Sequence, residues 1–272
     1  MRINNNINSI NALRNLSVSE MGQSKSLEKL SSGFRINRAA DDAAGLVISE
    51  GLRSQVGGLK VAMRNAQDGI SVVQTAEGAL TETHSILLRM RDLTVQAANA
   101  GVNDATSIGA LQAEHDALVS ELDRIATTTN FNGVKLVDGT FTAKAFQVGS
   151  NVSAANQIAV SIANVGSGAT GLSVTGLTVG AAATQTAIDA AITTVSTSRG
   201  SLGALQNRFE HTINNLGVAV ENLTASESRI RDTDMAAEMS QLTKHQILTQ
   251  AGTAMLAQAN SSAQSVLTLL RG

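Results

Sequence analysis

From Leu52 onward the apolar positions fall at Leu52, Val56, Leu59, Met63, Ala66, Ile70 and Val73, an alternation of four and three that lays a single stripe along one helix face. The stripe continues through Ala76, Leu80, Leu87, Met90 and Ala97, so the spacing predicts one helix from about residue 45 to about residue 100. At a rise of about 1.5 Å per residue such a helix is roughly 80 Å long, a length suited to a bundle or an assembly rather than to an ordinary globular domain. Ala100-Gly101-Val102-Asn103-Asp104 then supplies a glycine stop and two good N-cap residues. Ile108, Leu111, His115, Leu118, Leu122 and Ile125 predict a second helix running back antiparallel to the first.

Beyond residue 130 the period changes. Phe131-Asn132-Gly133 opens a stretch of Gly, Ser, Thr and β-branched residues, Asp138-Gly139 is a hairpin-turn signal, and Phe146 with Val148, then Ile158, Val160 and Ile162, alternate apolar with polar. A few short strands are expected there, followed by loop from Gly166 to Gly180. Helical spacing returns near Thr184 and runs through Leu202, Leu205, Phe209, Leu216, Val220, Leu223 and Ile230, with Gly200 and Gly203 as weak points.

After the polar break Arg231-Asp232-Thr233-Asp234, a heptad stripe recurs at Leu248, Gly252, Met255, Ala259, Ser262, Val266 and Leu269. The other end carries Ile3, Ile7, Ile10, Leu13 and Leu16, then Leu27, Leu30 and Phe34. Both ends are therefore amphipathic, and each apolar face needs a partner. Because the central helices consume their own faces, the ends are expected to pair with each other and with neighbouring copies. The assembly seam is assigned to Ile3, Ile7, Ile10, Leu13, Leu16, Leu248, Met255, Ala259, Val266 and Leu269. Ends of this kind are expected to be largely disordered in the free chain and to fold when burial on assembly offsets the ordering entropy.

These patterns imply a mainly α fold class: a long-helix bundle with a small β-hairpin region, plus a terminal two-helix coiled coil formed by the N- and C-terminal ends. Its expected segments are 1–42, the N-terminal helix of an inner domain; 43–130, N-terminal bundle helices; 131–180, a short β and loop segment; 181–231, the C-terminal bundle helix; and 232–272, the C-terminal helix of the inner domain.

Composition sharpens this picture. Hydrophobic residues make up 43% of the chain while aromatics make up 2%, so the apolar content is aliphatic and suits helices packed along their length rather than a ligand pocket. Proline is absent, which removes the usual cause of helix interruption. Cysteine is absent too, which excludes disulfides, thiolate metal sites and cysteine nucleophiles. The net charge of −2, with both signs interspersed, offers no extended positive surface for nucleic acid. No stretch of about twenty apolar residues predicts a membrane span, and Met1 to Ile10 lacks the apolar segment of a secretory signal.

Candidate chemistry changes little. Gly166-Ser167-Gly168-Ala169-Thr170-Gly171 fits a dinucleotide-binding fingerprint with Asp189 downstream, but the next residues, Leu172-Ser173-Val174-Thr175-Gly176, do not read as the helix that the fingerprint requires. His84, His115, His211 and His245 lie on separate segments without a second ligand at metal spacing, and His84 and His115 read as packed histidines. Asp41-Asp42 reads as capping a helix that starts near Ala43, since adjacent carboxylates rarely face one another on a helix. Asn151-Val152-Ser153 and Asn222-Leu223-Thr224 match the N-glycosylation tripeptide, which arises often by chance. No catalytic, cofactor or metal constellation emerges, and an enzyme is not expected.

Three motifs near the start, Leu30-Ser31-Ser32-Gly33-Phe34-Arg35-Ile36-Asn37, Ala40-Asp41-Asp42-Ala43-Ala44-Gly45 and Asn65-Ala66-Gln67-Asp68-Gly69-Ile70-Ser71, closely resemble the amino-terminal region of bacterial flagellins. Leu202-Gly203-Ala204-Leu205-Gln206-Asn207-Arg208-Phe209, Asn222-Leu223-Thr224-Ala225-Ser226 and the run Ala251 to Asn260 resemble their carboxyl-terminal region. The resemblance implies a structural subunit that polymerises with copies of itself, its terminal helices forming an inner tube and its bundle an outer tube. It also implies export through the flagellar type III apparatus to an extracellular filament, with an export chaperone and cap proteins as partners. Larger flagellins insert bulky domains where this chain has only its short β segment.

In flagellins recognised by the vertebrate Toll-like flagellin receptor, the contacted segment resembles Leu88 to Gln96, so Arg89, Leu93, Gln96 and Glu114 are assigned to receptor or neighbouring-subunit contact, with Leu93 read as exposed beside Arg89. The hook-filament junction subunit of the same superfamily is the alternative. A signalling coiled coil would lack the β segment.

Overall fold

The computed structural model describes residues 6–99 and 101–271, with side chains as far as Ser262. In chain order its elements are α1 (Ile7–Ser32), α2 (Ala43–Ala97), α3 (Ala105–Thr128), β1 (Asn130–Phe131), β2 (Val134–Lys135), β3 (Lys144–Gln147), β4 (Gln157–Val160), α4 (Ala182–Arg231) and α5 (Met235–Arg271). Two compact units result, one from Met1–Ser54 with Asn222–Gly272 and the other from Gln55–Glu221. Helices α2 and α4 each run through from one to the other.

In the central unit the predicted stripe is the core. Ala66, Val73, Ala76, Leu80, Leu87 and Met90 of α2 are buried with Leu122 and Ala126 of α3 and with Val195, Leu202 and Phe209 of α4. Helix α2 runs unbroken for 55 residues, as the period and the missing proline predict. Helix α4 also passes through Gly200 and Gly203 without a break, because the packed face on either side outweighs their weak propensity.

The tightest point of this core is a glycine. A Cβ on Gly69 would lie 2.8 Å from Cζ of Phe209, so the bare backbone of α2 makes room for the fully buried ring of α4. Phe146 of β3 meets that ring edge-on, with centroids 5.7 Å apart and planes at 83°. Asn65 Nδ2 donates to the Gln147 carbonyl at 3.0 Å, tying β3 to α2.

The β region differs from expectation in where it turns. Antiparallel β1 and β2 pair Phe131 with Val134, so the tight turn is Asn132-Gly133, with φ of 49° and 78°. Both values belong to the left-handed region that Asn and Gly tolerate best. Asp138-Gly139 instead makes a bend outside any strand pair, in which Asp138 Oδ1 accepts from Thr140 N and Oγ1 at 2.9 and 2.6 Å. Strands β3 and β4 pair Lys144 with Val160 and Phe146 with Ile158. Val148 and Ile162 fall just beyond the strand ends.

The glycine-rich segment is loop, held to α3 by side chains. Asp123 accepts from Ser167 N and Oγ, both at 2.8 Å. Gln112 donates to the Leu177 carbonyl at 3.0 Å and accepts from Val179 N at 2.9 Å. His115 sits in the same helix fully buried, as the stripe predicts, yet neither ring nitrogen makes a hydrogen bond; its Nδ1 stands 3.5 Å from Asp116.

Candidate assembly interface

In the other unit, helix α1 starts and stops on local chemistry. Asn6 accepts the Ser9 amide at 3.2 Å, and Gly33, at φ 75°, donates its amide to the Lys29 carbonyl at 2.8 Å. Helix α5 begins on Asp234, whose Oδ1 accepts from the amides of Ala236 and Ala237 at 2.9 and 3.1 Å.

The two helices pair antiparallel. Leu16 lies against Gly252, where a Cβ would come within 3.2 Å of its Cδ1, and the His245 ring lies over Gly22, where a Cβ would meet its Nδ1 at 2.7 Å. Lys29 Nζ reaches Glu238 at 3.6 Å at one end, and Asn6 Nδ2 donates to the Ala259 carbonyl at 2.9 Å near the other.

The least exposed positions identify the seam. On α1 they include Ala12, Leu16, Ser19, Gln23, Ser26 and Leu30, spaced four and three; on α5 they include Leu242, His245, Thr249, Gly252, Leu256 and Ala259, spaced three and four. Both follow the heptad period of a coiled coil. Small and polar residues alternate with Leu16, Leu30, Leu242 and Leu256 along the seam, and at Gly22 and Gly252 the partner side chain rests directly on backbone.

At the base of this pair the chain is stitched. Phe34 bridges to Asp232; Arg35 N donates to the Arg231 carbonyl at 2.7 Å and Thr233 N to the Gly33 carbonyl at 3.0 Å. The Arg231 guanidinium lies 4.7 Å from the Phe34 ring centroid while its Nη1 reaches Glu50 at 2.7 Å. Asp42 caps α2, accepting the Gly45 amide at 2.9 Å. Its neighbour Asp41 has different work. It accepts the amides of Asn37 and Arg38 at 3.2 and 3.1 Å and pairs with Lys25 Nζ at 2.8 Å. The Lys25 ammonium and those amides hold the Asp41 carboxyl well below its ordinary 3.8, at about 2.

The predicted seam residues mostly lie elsewhere than between α1 and α5. Leu16 and Ala259 are on the shared seam. Ile7, Ile10 and Leu13 are exposed, at 59%, 59% and 56%. Leu248 and Met255, also exposed, flank a groove of about 520 Å³ whose opposite wall is Asn8, Asn11 and Asn15. Ile3 lies outside the described residues, as do the side chains of Val266 and Leu269.

Helical spacing groups Ile7, Ile10, Val18 and Met21 into one exposed stripe, on the side of α1 turned away from Leu16 and Ser26. Hydrophobic patterning finds Leu16, Leu30, Gly252 and Ala259 of this seam but passes over Ser19, Gln23 and Ser26, which carry no hydrophobic signal. Their regular four-and-three spacing from Leu16 is the available clue.

In the central unit, Arg89 and Glu114 are both exposed and bound to each other, with Nη2 to Oε1 at 2.7 Å. Gln96 is exposed. Leu93 is not: it is fully buried, which corrects the expectation of an exposed leucine there. The reason is its register, three residues after buried Met90 and four before buried Ala97. Leu88, 44% exposed, is the leucine that stands beside Arg89 at the surface.

Among the described residues, no group of three or more His, Asp or Glu could hold a metal ion, and no helix is long and apolar enough to cross a membrane. Ends that pair with each other and still leave an apolar stripe on the outside define a self-associating structural subunit.

Comparison with known proteins agrees. Residues 3–142 match the bacterial flagellin N-terminal helical region and residues 185–270 the bacterial flagellin C-terminal helical region. The flagellin of Bacillus subtilis (strain 168) is 51% identical over 306 aligned positions covering 100% of both chains. That of Halalkalibacterium halodurans is 50% identical, again over 100% of both. Flagellin FlaB2 of Treponema pallidum (strain Nichols) is 43% identical, covering 100% of each chain. The chain belongs to the bacterial flagellins, the structural subunits of the flagellar filament.

Proposed function

We propose that this chain polymerises through the outward faces of α1 and α5 into an extracellular filament used for swimming. The supporting observation is the exposed stripe Ile7, Ile10, Val18 and Met21, on the side of α1 opposite its seam with α5, which the pairing of the two helices leaves uncovered. Stacking copies covers the stripe. In this reading residues 1–42 and 232–272 line the inner tube, and residues 43–130 and 181–231, with the short segment 131–180, form the outer tube. The ends order fully only on assembly.

Substituting Ile10→Asp places a charge on the stripe without touching the seam. Electron microscopy and sedimentation should show loss of filaments while helical content stays close to that of the natural subunit. Normal filaments from Ile7→Asp/Ile10→Asp would overturn the assignment of this face. Long filaments from the purified natural chain separate a filament subunit from a hook-filament junction subunit, which assembles only at the filament base.

Export through the type III apparatus with a chaperone, and growth under a cap protein, belong to the same proposal. Arg89, Gln96 and Glu114 form an exposed polar patch open to a neighbouring subunit or to the Toll-like flagellin receptor. Arg89→Ala tests the second: unchanged receptor signalling would remove it.

A further inference from the structure

Methionine is distributed unevenly over the surface. Met21, Met235, Met239 and Met255 are 64%, 49%, 51% and 65% exposed, and all four lie on α1 or α5. In the central unit Met90 is fully buried and Met63 half-buried. Met21 continues the outward stripe of Ile7, Ile10 and Val18, Met255 stands on the wall of the α1–α5 groove, and Met235 and Met239 are one turn apart at the start of α5. Flexible, polarisable thioethers suit a surface that must fit several neighbours, and the same exposure leaves their sulfur open to attack.

We infer that Met21, Met235, Met239 and Met255 are peroxide-oxidisable sites through which the free subunit loses its ability to assemble, and that assembly itself shields them. This rests on the reading of α1 and α5 as the polymerisation faces. In the reaction, hydrogen peroxide transfers one oxygen atom to the thioether. An S–O bond forms and the O–O bond breaks, sulfur gives up two electrons, and the peroxide leaves as water. The product sulfoxide is polar and needs hydrogen-bond partners, which an apolar interface lacks. No charge changes and no backbone bond is broken; the oxidised sulfur makes the assembly faces of α1 and α5 incompatible with burial.

The test treats free subunits and preformed filaments with hydrogen peroxide, maps sulfoxides by peptide mass spectrometry, and follows polymerisation by light scattering. In free subunits the four sites should oxidise ahead of Met90, and the treated subunits should polymerise at least about tenfold more slowly. In filaments the same four should oxidise about tenfold more slowly than in subunits. The variant Met21→Leu/Met235→Leu/Met239→Leu/Met255→Leu keeps apolar volume at these four positions without their sulfur, and should assemble equally well with and without peroxide.

Equal oxidation rates in subunit and filament, or a leucine variant as peroxide-sensitive as the natural chain, would overturn the inference. If the leucine variant does not polymerise at all, the oxidation rates in the natural chain decide. Failure of the untreated natural chain to polymerise would instead overturn the assembly reading; oxidation of Met90 as fast as the four would still overturn this one.

Discussion

His245 lies over the bare Cα of Gly22, close enough that a methyl group there would sit 2.7 Å from the ring nitrogen Nδ1. Leu16 makes the reciprocal contact, resting against Gly252 of the opposite helix. Two bulky residues, one from each helix, thus insert where the partner has no side chain, and together they set the antiparallel register. Gly22→Ala should loosen the pair by about 1–3 kcal/mol, the usual cost of overpacking. Thermal melts of assembled filaments followed by circular dichroism, with limited proteolysis of both ends, measure this. Adding His245→Ala should recover much of the loss; a double variant no better than the single one would show that the ring contact is not the register lock.

In the central unit the equivalent lock is Phe209 on Gly69. Phe209→Ala opens a void among α2, α4 and β3 and should cost about 3–5 kcal/mol. Urea denaturation checks it. Gly69→Ala should also destabilise, by pushing the ring toward Phe146, and a denaturation midpoint unchanged from the natural chain would contradict the packing described.

His115 predicts the opposite sign. A fully buried imidazole whose nitrogens find no hydrogen bond carries an uncompensated desolvation cost of about 1–3 kcal/mol. His115→Leu should therefore raise the urea midpoint. A lowered midpoint would mean that the ring has a polar partner in solution.

Asp41 governs a response to acid. Its carboxyl is held at about 2 instead of the ordinary 3.8, so the folded state favours the charged form and the unfolded chain takes up the proton first. The stabilisation is complete above about pH 4 and disappears as pH falls toward about 2. Asp41→Asn should flatten the melting temperature over that window while lowering it at neutral pH. If the natural chain and the variant show the same acid profile, the Lys25–Asp41 pair contributes nothing measurable, as many exposed ion pairs do.

Much of the central unit was legible in the sequence. Heptad spacing from Ala66 to Met90 translated directly into a buried stripe, because a helix that long and uninterrupted leaves the period as the only variable. His115 as a packed core residue and Asp42 as a cap were legible for the same local reasons. The turn was misplaced because two nearby dipeptides, Asn132-Gly133 and Asp138-Gly139, carry the same signal, and strand pairing chose the first.

At the two ends the outcome differs. Hydrophobicity assigned Ile7, Ile10, Leu13 and Met255 to a seam shared with the other end and with neighbouring copies, and the structure leaves all four exposed. Backbone proximity selected Ser19, Gln23, Ser26 and Gly252 for the inner seam and left those four outside. Leu93 was legible as buried, since it stands three residues after Met90 and four before Ala97 of the apolar stripe, and only the resemblance pointed it outward.

By itself, then, the order of residues determined the helices, their ends and the amphipathic character of both termini, since these depend on spacing, caps and the absence of proline within a single stretch of chain. Which face of each terminal helix turns inward was decided only in three dimensions. Two helices can close tightly only where side chains are small enough to let the backbones meet, and that condition belongs to the pair rather than to either strand of sequence.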